Sequence, residues 1–311
     1  MYKLNNPNPS KEAVELFDFL QENYGKKVIS GQHTKTTALI DVWKVMSITG
    51  KIPAICGFEL LGYSPNVNYT DTDDDAITEV MENMNTIDSA LSWAKVHKGI
   101  VTYTWHWFSP MRGHNKAFYT QYTDFNAAKA VTRGTPEYNA TIRDIDMIAN
   151  LLKRFKDLNV PILWRPLHEA DGKWFWWGAK GADACVKLWK LIYHRFNNIH
   201  NLNNLIWVWN SVNPEWYPGD DCVDIISRDL YAKDNGSRKD EFLEVKKLNP
   251  EKIVSLAECG MVPDPDKMME DGAMWSWFME WCGMQGASDE TLKAIYNNPL
   301  TITLDDLPWR K

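Results

Sequence analysis

Glu169 directly follows His168, and three tryptophans and a phenylalanine (Trp174, Phe175, Trp176, Trp177) fall within the next eight residues. A carboxyl group beside flat aromatic rings suits sugar chemistry. The carboxyl moves the proton, and the rings stack on the apolar faces of pyranoses. A second acid, Glu258 in Ala257-Glu258-Cys259-Gly260, ends another apolar run. Two carboxyls about 5 Å apart across one mouth is the arrangement for retaining glycoside hydrolysis. One protonates the leaving oxygen and the other attacks the anomeric carbon. The two roles need different proton affinities. Desolvation among Trp174, Phe175 and Trp176 favours a neutral Glu169, and Arg165 is the cation available to keep Glu258 ionised.

Each of these residues also has a plainer reading. A lone Glu at a strand end is commonly a helix cap or a surface group, but the pair on two strands of one fold argues for a site. A buried aromatic run should alternate or follow a helical period. Trp174-Phe175-Trp176-Trp177 does neither, and Gly172 and Gly178 bracket it as a loop, so it reads as a binding platform. Trp105 and Trp107, Trp207 and Trp209, and Trp275 and Trp277 add aromatic pairs near strand ends, with some members expected in the core. Trp107 is taken as a further sugar-binding ring.

Metal chemistry is poorly supported. His106 and His168 lack the spacing of a zinc site. Asp71-Thr72-Asp73-Asp74-Asp75 with Glu82 copies the acids of a calcium loop but has Ala76 where that loop needs Gly. A helix N-terminus accounts better for the cluster. No metal or cofactor is expected.

These side chains need elements to hold them. Eight short apolar runs, unbroken by alternation, read as strands buried on both faces: Val28–Gln32, Pro53–Phe58, Ile100–His106, Pro161–His168, Leu205–Trp209, Asp224–Tyr231, Ile253–Glu258 and Ala273–Trp281. Helical patterns lie between most of them, at Glu12–Tyr24, Thr141–Leu158, Ala184–Ile199, Ser237–Leu248 and Ser288–Tyr296. Strand–helix alternation repeated about eight times predicts an α/β fold, a closed (β/α)₈ barrel. No linker or internal repeat appears, so residues 1–311 read as one domain. His106, His168, Glu169 and Glu258 then end strands three, four and seven, which converge on one mouth. The long connections Leu60–Asp75 and Trp107–Pro136 should lie over that same face.

The bulk composition fits. The 311 residues are 44% hydrophobic and carry a formal charge of −7. That balance argues against nucleic acid or anionic lipid and suits a neutral ligand. Five scattered cysteines without a C-x-x-C pair read as free buried thiols. No apolar run approaches the roughly 20 residues of a membrane span.

The run from Arg165-Pro166-Leu167-His168-Glu169 to Trp174-Phe175-Trp176-Trp177-Gly178 resembles the signature of glycoside hydrolase family 26, whose members are mostly β-mannanases. Ser30-Gly31-Gln32-His33, Gly57-Phe58-Glu59, Thr104-Trp105-His106-Trp107, Trp209-Asn210 and Ala257-Glu258-Cys259-Gly260 follow in the expected order over roughly residues 28 to 282. The resemblance implies a (β/α)₈ barrel with Glu169 as acid/base and Glu258 as nucleophile. It implies that His168 and His106 bond the sugar at the point of cleavage, that Arg165 and Tyr231 orient the nucleophile, and that Trp174 stacks on sugar. The expected activity is retaining endo-β-1,4-mannanase on mannan, glucomannan or galactomannan. A β-1,3-xylanase or mixed-linkage β-glucanase of the family, and a barrel that only binds glycan, are the alternatives. The N-terminus has no continuous apolar stretch, so the protein is either cytoplasmic or has its signal peptide beyond this chain; a polymer substrate cannot enter a cell, so a monomer acting outside it is expected. Two departures stand out: Ala170-Asp171 where the family often has Met-Asn, and Cys259 directly after the nucleophile.

Overall fold

Each expected apolar run contributes one strand to a closed, all-parallel barrel in the computed structural model, which describes residues 2–310. Residues 1 and 311 of the expected domain lie outside the described residues. In chain order the strands are β1 (Gly31–His33), β2 (Ile55–Glu59), β3 (Ile100–Thr104), β4 (Ile162–Arg165), β5 (Leu205–Asn210), β6 (Ile225–Leu230), β7 (Ile253–Cys259) and β8 (Phe278–Glu280). Gln32 opposite Glu280 closes β1 onto β8. Buried residues fill these strands without alternation because helices cover the outer face and side chains fill the inner one.

The helices start where the sequence offers capping groups. Ser10, Thr135 and Ser288 each accept a backbone N–H from three residues on, beginning helices Lys11–Asn23, Pro136–Asp157 and Asp289–Tyr296. Pro136 occupies the first turn, where its missing N–H is harmless. Asp73 caps helix Asp74–Glu82 by accepting from the Ala76 N–H at 2.8 Å, so the acidic cluster is a helix start. That helix and Ile40–Thr49 lie outside the five expected helical stretches.

Two runs divide differently from expectation. Val28–Gln32 splits at Ser30: Val28–Ile29 pair with Thr301–Ile302 outside the barrel, and only the residues from Gly31 enter it. The Ser30 hydroxyl donates to Ile302 O and the Ser30 carbonyl accepts from Ala54 and Ile55, so one residue serves both ladders. Of Ala273–Trp281, only Phe278–Glu280 is barrel strand.

All three aromatic pairs are buried, including Trp107. Trp107 lies stacked on Trp105 at 4.1 Å, edge-on to Trp176, with its Nε1–H donated to Asp144 at 3.0 Å. It offers no ring face to the cleft, which corrects its assignment as a sugar-binding residue. The N–H of Trp189 likewise donates to Cys222 O and that of Trp275 to Ser237 O. Four of the five free thiols are buried as well, and Cys282 is half-buried.

At the other end of the barrel Asp224 is 3% exposed and accepts the backbone N–H groups of Asn5 and Trp207, both at 2.8 Å. It ties the N-terminal segment to the foot of β5. Asp224→Ala leaves two donors unpaired and is expected to destabilise the fold by about 2–4 kcal/mol, read as a lowered midpoint in chemical denaturation. Trp107→Phe keeps most of the packing but removes one donor from buried Asp144. It should cost about 1–3 kcal/mol in the same assay while KM for a glycan substrate stays unchanged; a raised KM with unaltered stability would return Trp107 to the binding surface.

Candidate active site

The C-terminal mouth brings three acids and a base, Glu169, Asp229, Glu258 and Arg165, to one space. Arg165, the last residue of β4, is 3% exposed. Its guanidinium reaches Asp229 of β6 through Nη1 and Glu258 of β7 through Nη2, both at 2.6 Å. The other oxygen of Glu258 accepts from the Tyr231 hydroxyl. Tyr231 directly follows β6, as expected. Both Glu258 oxygens therefore receive strong donors, the setting of a carboxylate aimed for attack.

Glu169 arrives by a different route. The chain leaves β4 after Arg165, and Leu167 and Glu169 both take positive φ, 53° each. Such conformations are unfavourable for residues with side chains and persist only where neighbours fix them. The fixing group is Asn210 at the end of β5, whose side-chain oxygen accepts the Glu169 N–H at 2.9 Å. Asn210 also donates to the Asp229 carboxylate at 2.9 Å, so one amide joins the Glu169 backbone to the Asp229 side chain. The turn closes with the Trp174 Nε1–H donated to the Glu169 carboxyl at 2.9 Å. Gly178 is required there, because a Cβ would sit 2.0 Å from the Ala170 carbonyl oxygen.

One oxygen from each of Glu169, Asp229 and Glu258 lies within 4.8 Å of the others. Three carboxyls this close resemble a cation site, but the Arg165 guanidinium already bridges two of them. Burial raises the Glu169 carboxyl above its ordinary value, and the negative charge of Glu258 raises it further. Arg165 and the Trp174 hydrogen bond oppose this without cancelling it. Asp229 is also pushed upward, by burial, against the pull of Arg165.

His106 and His168 lie just beyond β3 and β4 rather than within them. Their Nε2 atoms meet at 3.2 Å. His106 Nδ1 faces the Glu59 carboxylate at 2.7 Å, and the other Glu59 oxygen accepts the backbone N–H groups of His106, Leu60 and Leu61. Burial alone would lower His106, but the charge of Glu59 and its hydrogen bond raise it. Burial likewise pushes Glu59 up, and His106 overrides this to hold it at about 2. The two agree on an ion pair. His106 then donates through Nε2 to His168. Burial, followed by the charges of His106 and Arg165, drives His168 well down, so it stays neutral with its proton on Nδ1.

The aromatic platform is smaller than expected. Trp174 is 47% exposed, while Phe175, Trp176 and Trp177 are buried. Trp176 donates to Trp107 O and Trp177 to His168 O, so these rings support the backbone of the site. Four side chains went unassigned to the site in the sequence. Asp229 carries a polar side chain near the end of an apolar run, the same signal as Glu258. Glu59 and Asn210 end β2 and β5 with the same signal. Trp281, just past β8, stacks on His33 at 4.0 Å and lies 5.9 Å from His106.

Comparison with known proteins agrees with this geometry. The sequence profile of glycosyl hydrolase family 26 matches residues 5–306. A mannan endo-1,4-beta-mannosidase of Thermothelomyces thermophilus is 40% identical over 318 residues, covering 98% of this chain and 63% of that protein. Mannan endo-1,4-beta-mannosidase A of Piromyces sp. is 36% identical, covering 97% and 50%. This chain thus spans less than two thirds of either relative. The crystal structure of a Podospora anserina GH26-CBM35 beta-(1,4)-mannanase superposes with a TM-score of 0.90 at 38% identity, covering 99% of this chain and 70% of that one. A beta-mannanase from a symbiotic protist of the termite Reticulitermes speratus, complexed with gluco-manno-oligosaccharide, gives 0.86 at 35% identity over 98% and 97%. The acids at the ends of β4 and β7, the barrel that carries them and these likenesses have one source: the chain belongs to glycosyl hydrolase family 26.

Proposed function

We propose that this chain is a retaining endo-β-1,4-mannanase acting on mannan, glucomannan or galactomannan, with residues 1–311 as one catalytic domain. The approach of Glu169 and Glu258 to within 4.8 Å carries the reading. Such an approach favours the short separation of retaining enzymes, about 5–5.5 Å, over the roughly 6.5–9.5 Å of inverting ones. The mannan endo-1,4-beta-mannosidase relatives support mannan as the substrate.

In this mechanism protonated Glu169 gives its proton to the leaving glycosidic oxygen. The Glu258 carboxylate attacks the anomeric carbon and forms a glycosyl ester. Glu169, now ionised, takes a proton from water, whose oxygen displaces Glu258 and restores both groups. Arg165 and Tyr231 hold Glu258 in line. His106 and His168 form the floor under the reacting sugar, and the exposed face of Trp174 receives the leaving one. The chain needs no cofactor for these steps. A polymer cannot enter a cell, so the enzyme works outside one, as a monomer. Among the described residues no helix is long and apolar enough to cross a membrane.

Reducing-sugar release from linear mannan, galactomannan, mixed-linkage β-glucan and β-1,3-xylan tests the reading. Release from the mannans, abolished in Glu258→Ala and reduced about 10²–10⁴-fold in Glu169→Ala, is the expected result. Glu169→Ala should recover on aryl mannosides with activated leaving groups, and Glu258→Ala should not. Release chiefly from glucan or xylan would discard the mannanase assignment. The pH profile makes a separate statement. Glu169 must be protonated for the first step, so kcat/KM on mannan falls as pH rises through its raised pKa. The Trp174 N–H stabilises the carboxylate form, so Trp174→Phe should move that alkaline limb to higher pH. A limb that stays fixed or moves down would show that another group sets it.

A further inference from the structure

At the end of the barrel opposite the reaction centre lies a pocket of about 290 Å³. Ile100, which begins β3, and Val160 and Pro161, which lead into β4, line it. His106 and Arg165 lie at the far ends of the same two strands, so the pocket shares no side chain with the reaction centre. Trp309 also lines it and keeps 39% of its surface exposed. Its indole Nε1–H donates to the Lys98 carbonyl at 2.7 Å, and its ring stands T-shaped against Phe19 at 5.1 Å. The one polar atom of the ring is therefore satisfied within the protein, and what remains open is a flat aromatic surface in a fixed place.

The charged groups around that ring balance. Glu12 and Glu15 come from the start of helix Lys11–Asn23, and Lys95 and Lys98 from the segment before β3. Two acids against two bases favour neither an anion nor a cation. Glu15 pairs with Lys11, and Lys95 donates to Leu158 O at 3.1 Å. Half-buried Glu12 has no hydrogen-bonding partner among the described residues, and Asn159 adds an exposed amide. Free donors and acceptors beside one aromatic face suit a hexopyranose, which stacks through its apolar face and bonds through its hydroxyls. The pocket is concave and near the small end of ligand sites, roughly 300–1,000 Å³, which fits a unit of a sugar chain better than the surface of a protein.

We propose that the Trp309 pocket is a non-catalytic binding site for a neutral hexose unit of a second mannan chain, with the Trp309 ring stacked on the sugar and Glu12 and Asn159 bonding its hydroxyls. The choice of mannan rests on the mannanase reading. A chain held on this face keeps the enzyme on an insoluble polymer while the mouth at the other end stays free to cleave.

The test uses Glu258→Ala, in which cleavage is removed, so that binding can be read alone. Calorimetric titration with mannotetraose is expected to show two binding events per chain, and adding Trp309→Ala should leave one. In the same background, retention on insoluble mannan should fall about tenfold or more with Trp309→Ala and severalfold with Glu12→Ala. With Glu258 restored, Trp309→Ala and Glu12→Ala should keep the wild-type kcat/KM on mannotetraose, which shows that they fold, and should lose activity on insoluble mannan severalfold. A single binding event with Trp309 present, or retention that Trp309→Ala leaves unchanged, would overturn this site and leave the mannanase reading intact. No turnover of mannan by the wild type would overturn the mannanase reading and, with it, mannan as the ligand here.

Discussion

One buried cation, Arg165, organises the site. It carries a full charge at 3% exposure, which is tolerable only because Asp229 and Glu258 each take one arm of the guanidinium. Breaking a buried ion pair by deleting one partner typically costs about 3–5 kcal/mol, so β4, β6 and β7 are bound to one another by charge as well as by their ladders. The trio still has one negative charge in excess. A fourth group of the same sign within 4.8 Å would double that excess, and the local field therefore favours a proton on Glu169. In the proposed mechanism the division of labour between the two glutamates follows from burial of Glu169 beside the charge of Glu258, while Arg165 bonds Glu258.

The same logic is repeated on the other side of the mouth. Glu59 and His106 form a second buried pair, and its positive end points through Nε2 at neutral His168. The reaction centre thus lies between two compensated pairs. Rigid carriers hold them: the Glu59 oxygens also collect three backbone N–H groups, and Asn210 fixes the left-handed turn at Glu169. Preorganised charges of this kind need no rearrangement as charge develops on the substrate, and this is where electrostatic catalysis draws its strength.

Much of this was legible in the sequence, for identifiable reasons. Strands buried on both faces leave apolar runs without alternation, so all eight could be found. Glu258 stood out because it ends such a run, Glu169 because it follows His168 at the end of another beside an aromatic cluster, and Arg165 as the cation near them. Asp229 carries a similar signal, but Ser227-Arg228-Asp229 also reads like a polar strand exit. The register slips between Arg228 and Asp229, and Arg228 pairs with half-exposed Glu244 while Asp229 turns in to Arg165. A bulge that re-aims one side chain leaves no mark in composition. Helix Asp74–Glu82 was visible only as its acidic start, and its placement depends on ion pairs with Lys35 and Lys116 from distant segments.

The tryptophan run shows the limit most clearly. Its lack of periodicity argued correctly for a loop but not for what the loop touches. A loop that crosses the top of a barrel can be as buried as a strand, provided its polar atoms find partners. Trp176 and Trp177 supply them, each giving its indole N–H to a backbone carbonyl, at Trp107 and at His168. Their rings are buried, and they hold the chain segments from which His106, His168 and Glu169 project. Only Trp174 keeps an open face, and it is also the ring bonded to the acid. In the proposed mechanism the one residue of the run open to the leaving sugar is therefore also the one hydrogen-bonded to the acid.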